Sequence, residues 1–78
     1  MTAAEVASLA RVRALCSSGA ARSIRVAAGM SLGELGRGLG VSPSTVLRWE
    51  RGDRRPRGDA GLRYGALLDQ LLQPGRRL

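Results

Sequence analysis

Arginine carries most of the chemistry this chain could perform. The 78 residues include 13 basic ones, all of them Arg, against 6 acidic ones, and no His or Lys occurs. A guanidinium stays charged and offers a planar fork of donors, so it suits phosphate groups and base edges rather than proton transfer. The densest charge lies in Asp53-Arg54-Arg55-Pro56-Arg57-Gly58. A net charge of +7 favours anionic partners. With no His and a single cysteine, Cys16, neither a zinc site of usual ligand spacing, nor a His-based triad, nor an internal disulfide can be built. Glu50, Asp53 and Asp59 lie apart along the chain, so general acid–base machinery is missing as well. The chain is therefore expected not to be an enzyme, to have no catalytic or metal-ligating residues, and to need no cofactor or small-molecule ligand.

The arginine run has to be positioned by the stretch that precedes it, Ser31 to Gly52. Leu35, Leu39, Val41, Val46 and Trp49 mark one buried face there. Ser31 and Glu34 form a capping box that opens a helix over Leu32–Leu39. Gly40 supplies the positive φ of a tight turn. Ser42 then caps a second helix, with Pro43 at its first position, where the missing N–H is harmless. Val46 and Trp49 point inward, which leaves Pro43, Ser44, Leu47, Arg48 and Arg51 facing out. A short helix with a polar outer face, held at a fixed angle to its predecessor, can enter a major groove roughly 12 Å wide. Gly33, Gly36 and Gly38 each cost up to about 1 kcal/mol relative to Ala, so the first helix must be held by packing. Gly36 faces the following helix, where the missing side chain lets two backbones approach.

Thr2 and Glu5 form another capping box, which opens a helix running to about Ser17. Its apolar stripe is Val6, Leu9, Val12 or Arg13, and Cys16, the last a small buried apolar residue. Ser17-Ser18-Gly19 breaks it. The next helix covers about Ala20 to Ala28, with Ala21, Ile24 and Ala28 on one face, and ends at Gly29; Met30 then packs inward. A last helix, about Asp59 to Leu72, buries Leu62, Tyr64 and Leu68 and leaves Leu67, Leu71 and Leu72 over. Arg76 and Arg77 follow Pro74-Gly75 as a frayed tail. The expected fold is all-α, a compact bundle of about five helices. One domain is expected over 1–78: an N-terminal helix at 1–18, a core at 20–72 and a basic tail at 73–78. No apolar run approaches the roughly 18 residues of a membrane span. Glu5, Ser8 and Arg11 interrupt any secretory start. A cytoplasmic protein with no membrane partner is expected, in a bacterial nucleoid or a host cell.

From about Ala21 to Leu68 the chain resembles the helix-turn-helix domain of the Cro and phage-repressor class, the XRE type. The resemblance rests on Ile24-Arg25, Gly29-Met30-Ser31, Glu34-Leu35, Leu39-Gly40-Val41-Ser42, Ser44-Thr45-Val46, Arg48-Trp49-Glu50-Arg51-Gly52 and Pro56. It implies a lambda-repressor-like fold, here with an extra N-terminal helix, whose recognition helix, Ser42–Arg51, enters the major groove of double-stranded DNA. By similarity, Pro43, Ser44, Leu47 and Arg48 read base edges, with Arg48 able to donate two hydrogen bonds to guanine. Arg51, Arg54, Arg55 and Arg57 would clamp phosphates, and the hydroxyls of Ser31, Ser42 and Thr45 are further phosphate candidates. The class often carries an ion pair at the positions of Arg25 and Glu50, which makes Glu50 structural.

Three departures from the family pattern stand out. Leu32 replaces the Gln that many members place against a phosphate. Gly36 replaces a commoner Ala, expected to fit the close crossing equally well. Pro43 stands where many relatives carry a hydrogen-bonding side chain, which moves base reading towards Ser44, Arg48 and methyl contacts from Pro43 or Leu47. Few side chains read few base pairs, so a homodimer on DNA is expected, paired through the last helix or through the stripe Val6, Leu9 and Val12. The expected function is a sequence-specific transcriptional regulator, repressor- or Cro-like and of phage or prophage type. The alternative is a DNA-binding antitoxin or protein-interaction module, in which a different chain covers Leu67, Leu71 and Leu72.

Overall fold

Side-chain caps set where most of the helices begin. In the computed structural model, which describes residues 1–73, the chain forms α1 (Ala3–Ser17), α2 (Ala20–Ala27), α3 (Leu32–Leu39), α4 (Pro43–Arg51) and α5 (Gly58–Leu72). Arg76 and Arg77 of the expected tail lie outside the described residues. Ahead of α1 the Thr2 hydroxyl accepts the Glu5 N–H at 3.1 Å, and the Glu5 carboxylate accepts the Thr2 N–H at 2.8 Å. Ser31 and Glu34 repeat that exchange ahead of α3, at 3.0 and 2.9 Å. The Ser31 backbone N–H, and after it the Ser31 hydroxyl, hold the Glu34 carboxyl below its ordinary range. The Ser42 hydroxyl accepts the Thr45 N–H at 3.1 Å and so opens α4, with Pro43 in its first turn. Both capping boxes, and the bounds of α3 and α4, match the expectation from sequence.

The core gathers one to three buried residues from each of the five helices. Leu9, Val12 and Cys16 of α1 pack with Ala21, Leu35, Leu39, Val46, Trp49, Tyr64 and Leu68. Trp49 stacks on Tyr64, with ring centroids 5.0 Å apart. The chain has one Trp, one Tyr and no Phe, so this stack is its whole aromatic content, and it ties α4 to α5. The Tyr64 hydroxyl is buried with the Cys16 thiol beside it, and burial pushes the pKa of both groups up. The closest crossing in this part of the fold is made at Gly61 of α5. A Cβ there would stand 2.9 Å from the Pro56 carbonyl carbon and 3.0 Å from a Leu9 methyl.

Several expectations need correction. α2 ends at Ala27, and Ala28, as the residue after it, is exposed rather than part of the buried face. Val6 is 54% exposed because the crossing of α1 with α5 is built on Leu9 and Val12 and leaves the first turn of α1 outside it. Leu9 and Val12 are buried in their own domain, at 4% and 0% exposure, so the α1 stripe is not a free surface for pairing. Leu62 is half-buried, while Tyr64 beside it is fully buried and is the largest such side chain. Leu67, expected as a leftover, packs against the core.

The crossing of α3 with α4 also differs from expectation. A Cβ at Gly36 would stand 2.6 Å from the Val41 carbonyl oxygen and 3.2 Å from the Pro43 nitrogen. Both are backbone atoms and cannot swing aside, so Ala does not fit there as well as Gly. At Gly38 an added Cβ meets nothing within 4 Å. Gly36→Ala is therefore expected to destabilise the fold by about 1 to 3 kcal/mol through overpacking. Gly38→Ala should stabilise it by up to about 1 kcal/mol through helix propensity. Urea midpoints of the two variants check this, and equal shifts of the same sign would show that the crossing is not backbone-limited.

Candidate nucleic-acid interface

The site is built outward from the turn between α3 and α4. Gly40 closes α3 in the left-handed region, φ 74 and ψ 29, as the turn requires. The Val41 N–H then donates to the Gly36 carbonyl at 2.9 Å, and Val41 packs against the core. Arg63 of α5 donates to the Leu39 carbonyl at 2.9 Å, which places a cation at the negative end of α3. The turn is thus held from both sides, by backbone contact at Gly36 and by a guanidinium at Leu39.

The far end of α4 is held by an ion pair. Arg25 of α2 donates through Nε to Glu50 Oε2 at 2.6 Å and through Nη2 to Oε1 at 3.0 Å, a bidentate fork. Its remaining nitrogen, Nη1, donates to the Met30 carbonyl at 3.0 Å. The Glu50 side chain is 1% exposed and that of Arg25 12%. The bond to Glu50 is the main cause of the rise in the Arg25 pKa above its ordinary value. One guanidinium therefore joins α2, the start of the α3 cap and the end of α4. The pairing implied by the family resemblance is present, and it gives Glu50 a structural role.

Held in this way, α4 turns Val46, Trp49 and Glu50 inward. Pro43, Ser44, Leu47 and Arg48 lie together on its outer side and are all exposed, as is Arg51, whose nearest carboxylate is Asp53 at 3.9 Å. Thr45 is half-buried on the flank of the helix. Its hydroxyl lies 3.0 Å from that of Ser42, so one hydrogen of the pair remains to donate outward. The Ser31 hydroxyl accepts the Glu34 N–H and also interacts with the Glu34 carboxylate. Ser31 and Ser42 thus cap helices, and one hydroxyl of the Ser42–Thr45 pair can still donate to an anion.

Beyond Gly52, Arg54, Arg55 and Arg57 are exposed, and Pro56 between them is buried. They line a groove of about 660 Å³ together with Thr45 and Trp49 of α4 and Arg13 of α1. No carboxylate lines it. The candidate phosphate residues therefore fall into separate places. Arg54, Arg55, Arg57 and Thr45 share the groove, Arg51 lies on the outer side of α4, and Ser31 and Ser42 stand at helix starts. Sequence reasoning missed Arg13 and Arg63. Periodicity offered Arg13 only as an alternative stripe position, and nothing in the spacing of Arg63 pointed to the Leu39 carbonyl.

The removal of one member of the buried pair gives a direct check on this framework. Arg25→Ala leaves the Glu50 carboxylate buried without its fork and should cost about 3 kcal/mol or more. Replacing both residues together, Arg25→Met with Glu50→Leu, should recover most of that loss, because a well-packed apolar pair avoids desolvating charge. Thermal and urea unfolding of the single and double variants test this, and additive losses would contradict the coupling.

Comparison with known families gives a match over residues 22–68, more than half of the chain, to a family model described as helix-turn-helix. The matched segment covers most of α2, all of α3 and α4 and most of α5, and leaves α1 outside. Comparison with curated proteins and with solved structures found no match.

Proposed function

The chain belongs to the helix-turn-helix family, of the Cro and phage-repressor type, and from that premise we propose that it is a sequence-specific regulator of transcription acting on double-stranded DNA. The observation that supports this most is the outer side of α4. Pro43, Ser44, Leu47 and Arg48 are exposed there, on a helix fixed by the Gly36 crossing at one end and by the Arg25–Glu50 fork at the other. A rigid helix edge with a free guanidinium and small polar and apolar groups can follow base edges in a major groove.

In this reading Arg48 takes guanine O6 and N7, and Ser44 donates to or accepts from a neighbouring base. Pro43 and Leu47 meet thymine methyl groups. Arg51, Arg54, Arg55 and Arg57, with the hydroxyls of Ser31, Ser42 and Thr45, hold phosphates and set the register of α4. Two copies pair so that their recognition helices reach successive major grooves about 34 Å apart. With the α1 stripe buried, the end of α5 is the surface left for pairing, where Leu71 is half-buried and Leu72 is 49% exposed. A repressor- or Cro-like protein of phage or prophage type is the finer form of the reading.

Selection of bound sites from random duplex DNA at near-physiological salt tests the function. A single enriched motif with dyad symmetry is expected, and recovery of unbiased sequence would count against specific regulation. Arg48→Ala should relax preference at one base position and cost about 1 to 3 kcal/mol at that position alone. Arg55→Ala should weaken binding to all sequences alike and reduce the salt slope by about one. Identical behaviour of the two variants in a salt-dependent binding assay would remove the division between reading and clamping residues.

A further inference from the structure

We propose that α1, which lies outside the family-matched segment, contributes to binding through Arg13, which completes a built phosphate groove beside the recognition helix. The inference rests on the reading of the chain as a duplex-binding protein and extends it to a part of the fold that the family does not supply. The Arg13 Nε donates to the Pro56 carbonyl at 2.9 Å, and the side chain is partly buried. Among the described residues its two terminal nitrogens have no hydrogen-bond partner. Arg13 lines the groove together with Thr45, Trp49, Arg54, Arg55 and Arg57, so four arginines gather there with no carboxylate among the lining residues. Like charges gathered in this way favour an anion with several oxygens. The bond to Pro56 fixes the Arg13 fork in advance, so less side-chain freedom is lost on binding.

The position of the groove points to the backbone of duplex DNA as the source of that anion. Thr45 and Trp49 stand one turn apart on one flank of α4, while Glu50, on the other flank, faces Arg25. A helix lying in a major groove has a phosphate strand on either side of it. The Thr45 and Trp49 flank, with its arginines, therefore meets one of those strands while Ser44, Leu47 and Arg48 meet the bases. Pro56 links the two halves of the groove. It is buried against Gly61 of α5, it accepts from Arg13, and it separates Arg55 from Arg57.

The test uses the full chain with a short duplex of arbitrary sequence, over a range of salt concentrations. Arg13→Gln keeps a donor for the Pro56 carbonyl and removes the charge. It should lower the slope of log K against log salt by about 0.9, the value for one phosphate contact, and weaken every sequence alike. Arg13→Lys keeps the charge and should retain the wild-type slope, which makes it the informative variant if Arg13→Gln fails to fold. A lower affinity for Arg13→Gln with an unchanged slope would overturn the proposal and reduce Arg13 to a brace for Pro56, as would loss of slope in Arg13→Lys. Trp49 is the sole tryptophan, so its emission reports on the groove. It should change on saturation with duplex and not with inorganic pyrophosphate at equal phosphate concentration; the reverse would make the groove a small-anion site. Should the wild-type chain show no binding to any duplex, the functional reading itself fails and this inference with it. If wild-type binding is unaltered in both Arg13 variants, only the inference fails.

Discussion

The bidentate pair between Arg25 and Glu50 is the constraint on which the presentation of α4 depends. A domain of this size is stable by roughly 0.05 to 0.15 kcal/mol per residue, so one broken buried pair would remove a large share of the total. Such a pair adds little net stability, because burying two charges costs about as much as their attraction returns. What it supplies here is geometry. The guanidinium reaches Glu50 with two nitrogens and the Met30 carbonyl with the third, so α2, the lead-in to α3 and the end of α4 have one relative arrangement that satisfies all three bonds. At the other end of α4 the backbone contact at Gly36 allows no alternative spacing. The recognition helix is thereby held at both ends, while its outer side carries no structural duty.

The same residue type does two kinds of work in this chain, and the presence or absence of a partner separates them. Arg13, Arg25 and Arg63 each bond a backbone carbonyl, of Pro56, Met30 and Leu39 in turn, and Arg11 pairs with Asp69. These arginines fasten elements together. Arg48, Arg54, Arg55 and Arg57 are exposed on or beside α4 and have no partner among the described residues. A long stem with a charged head allows both uses, because the methylenes pack while the fork seeks acceptors. Arg13 belongs to both groups, since its Nε is committed to Pro56 while the residue also lines the groove.

Much of this was legible in the residues, for reasons that differ from element to element. The starts of α1, α3 and α4 could be read because a capping box or a Ser-Pro pair is a local signal, and its donors and acceptors lie within one turn. The family resemblance carried the Arg25–Glu50 pair, which no spacing rule would have found across 25 positions. Periodicity told which face of α1 is apolar but not how far along α5 covers it, and on that stripe Leu9 and Val12 are buried while Val6 lies exposed. At Ala28 and Leu62 the same limit applied at a helix end and at the rim of the core. Gly36 was understood as a close approach, yet its tolerance for a methyl group depends on the positions of the Val41 oxygen and Pro43 nitrogen, which only three-dimensional structure supplies. Gly61, Arg13 and Arg63 went unread for the same reason: each meets atoms of a segment far away in sequence.

The central claim is that the outer side of α4, flanked by the arginines beyond Gly52, is the surface that meets duplex DNA. The most direct measurement is a backbone and side-chain NMR titration of the isotope-labelled chain with a short duplex. The account predicts the largest shifts at Ser44, Leu47, Arg48 and Arg51 and at Arg54 to Arg57, with Val6 and Val26 silent at sub-stoichiometric duplex. Shifts concentrated on the exposed side of α1 or α5, with the outer side of α4 unmoved, would contradict it.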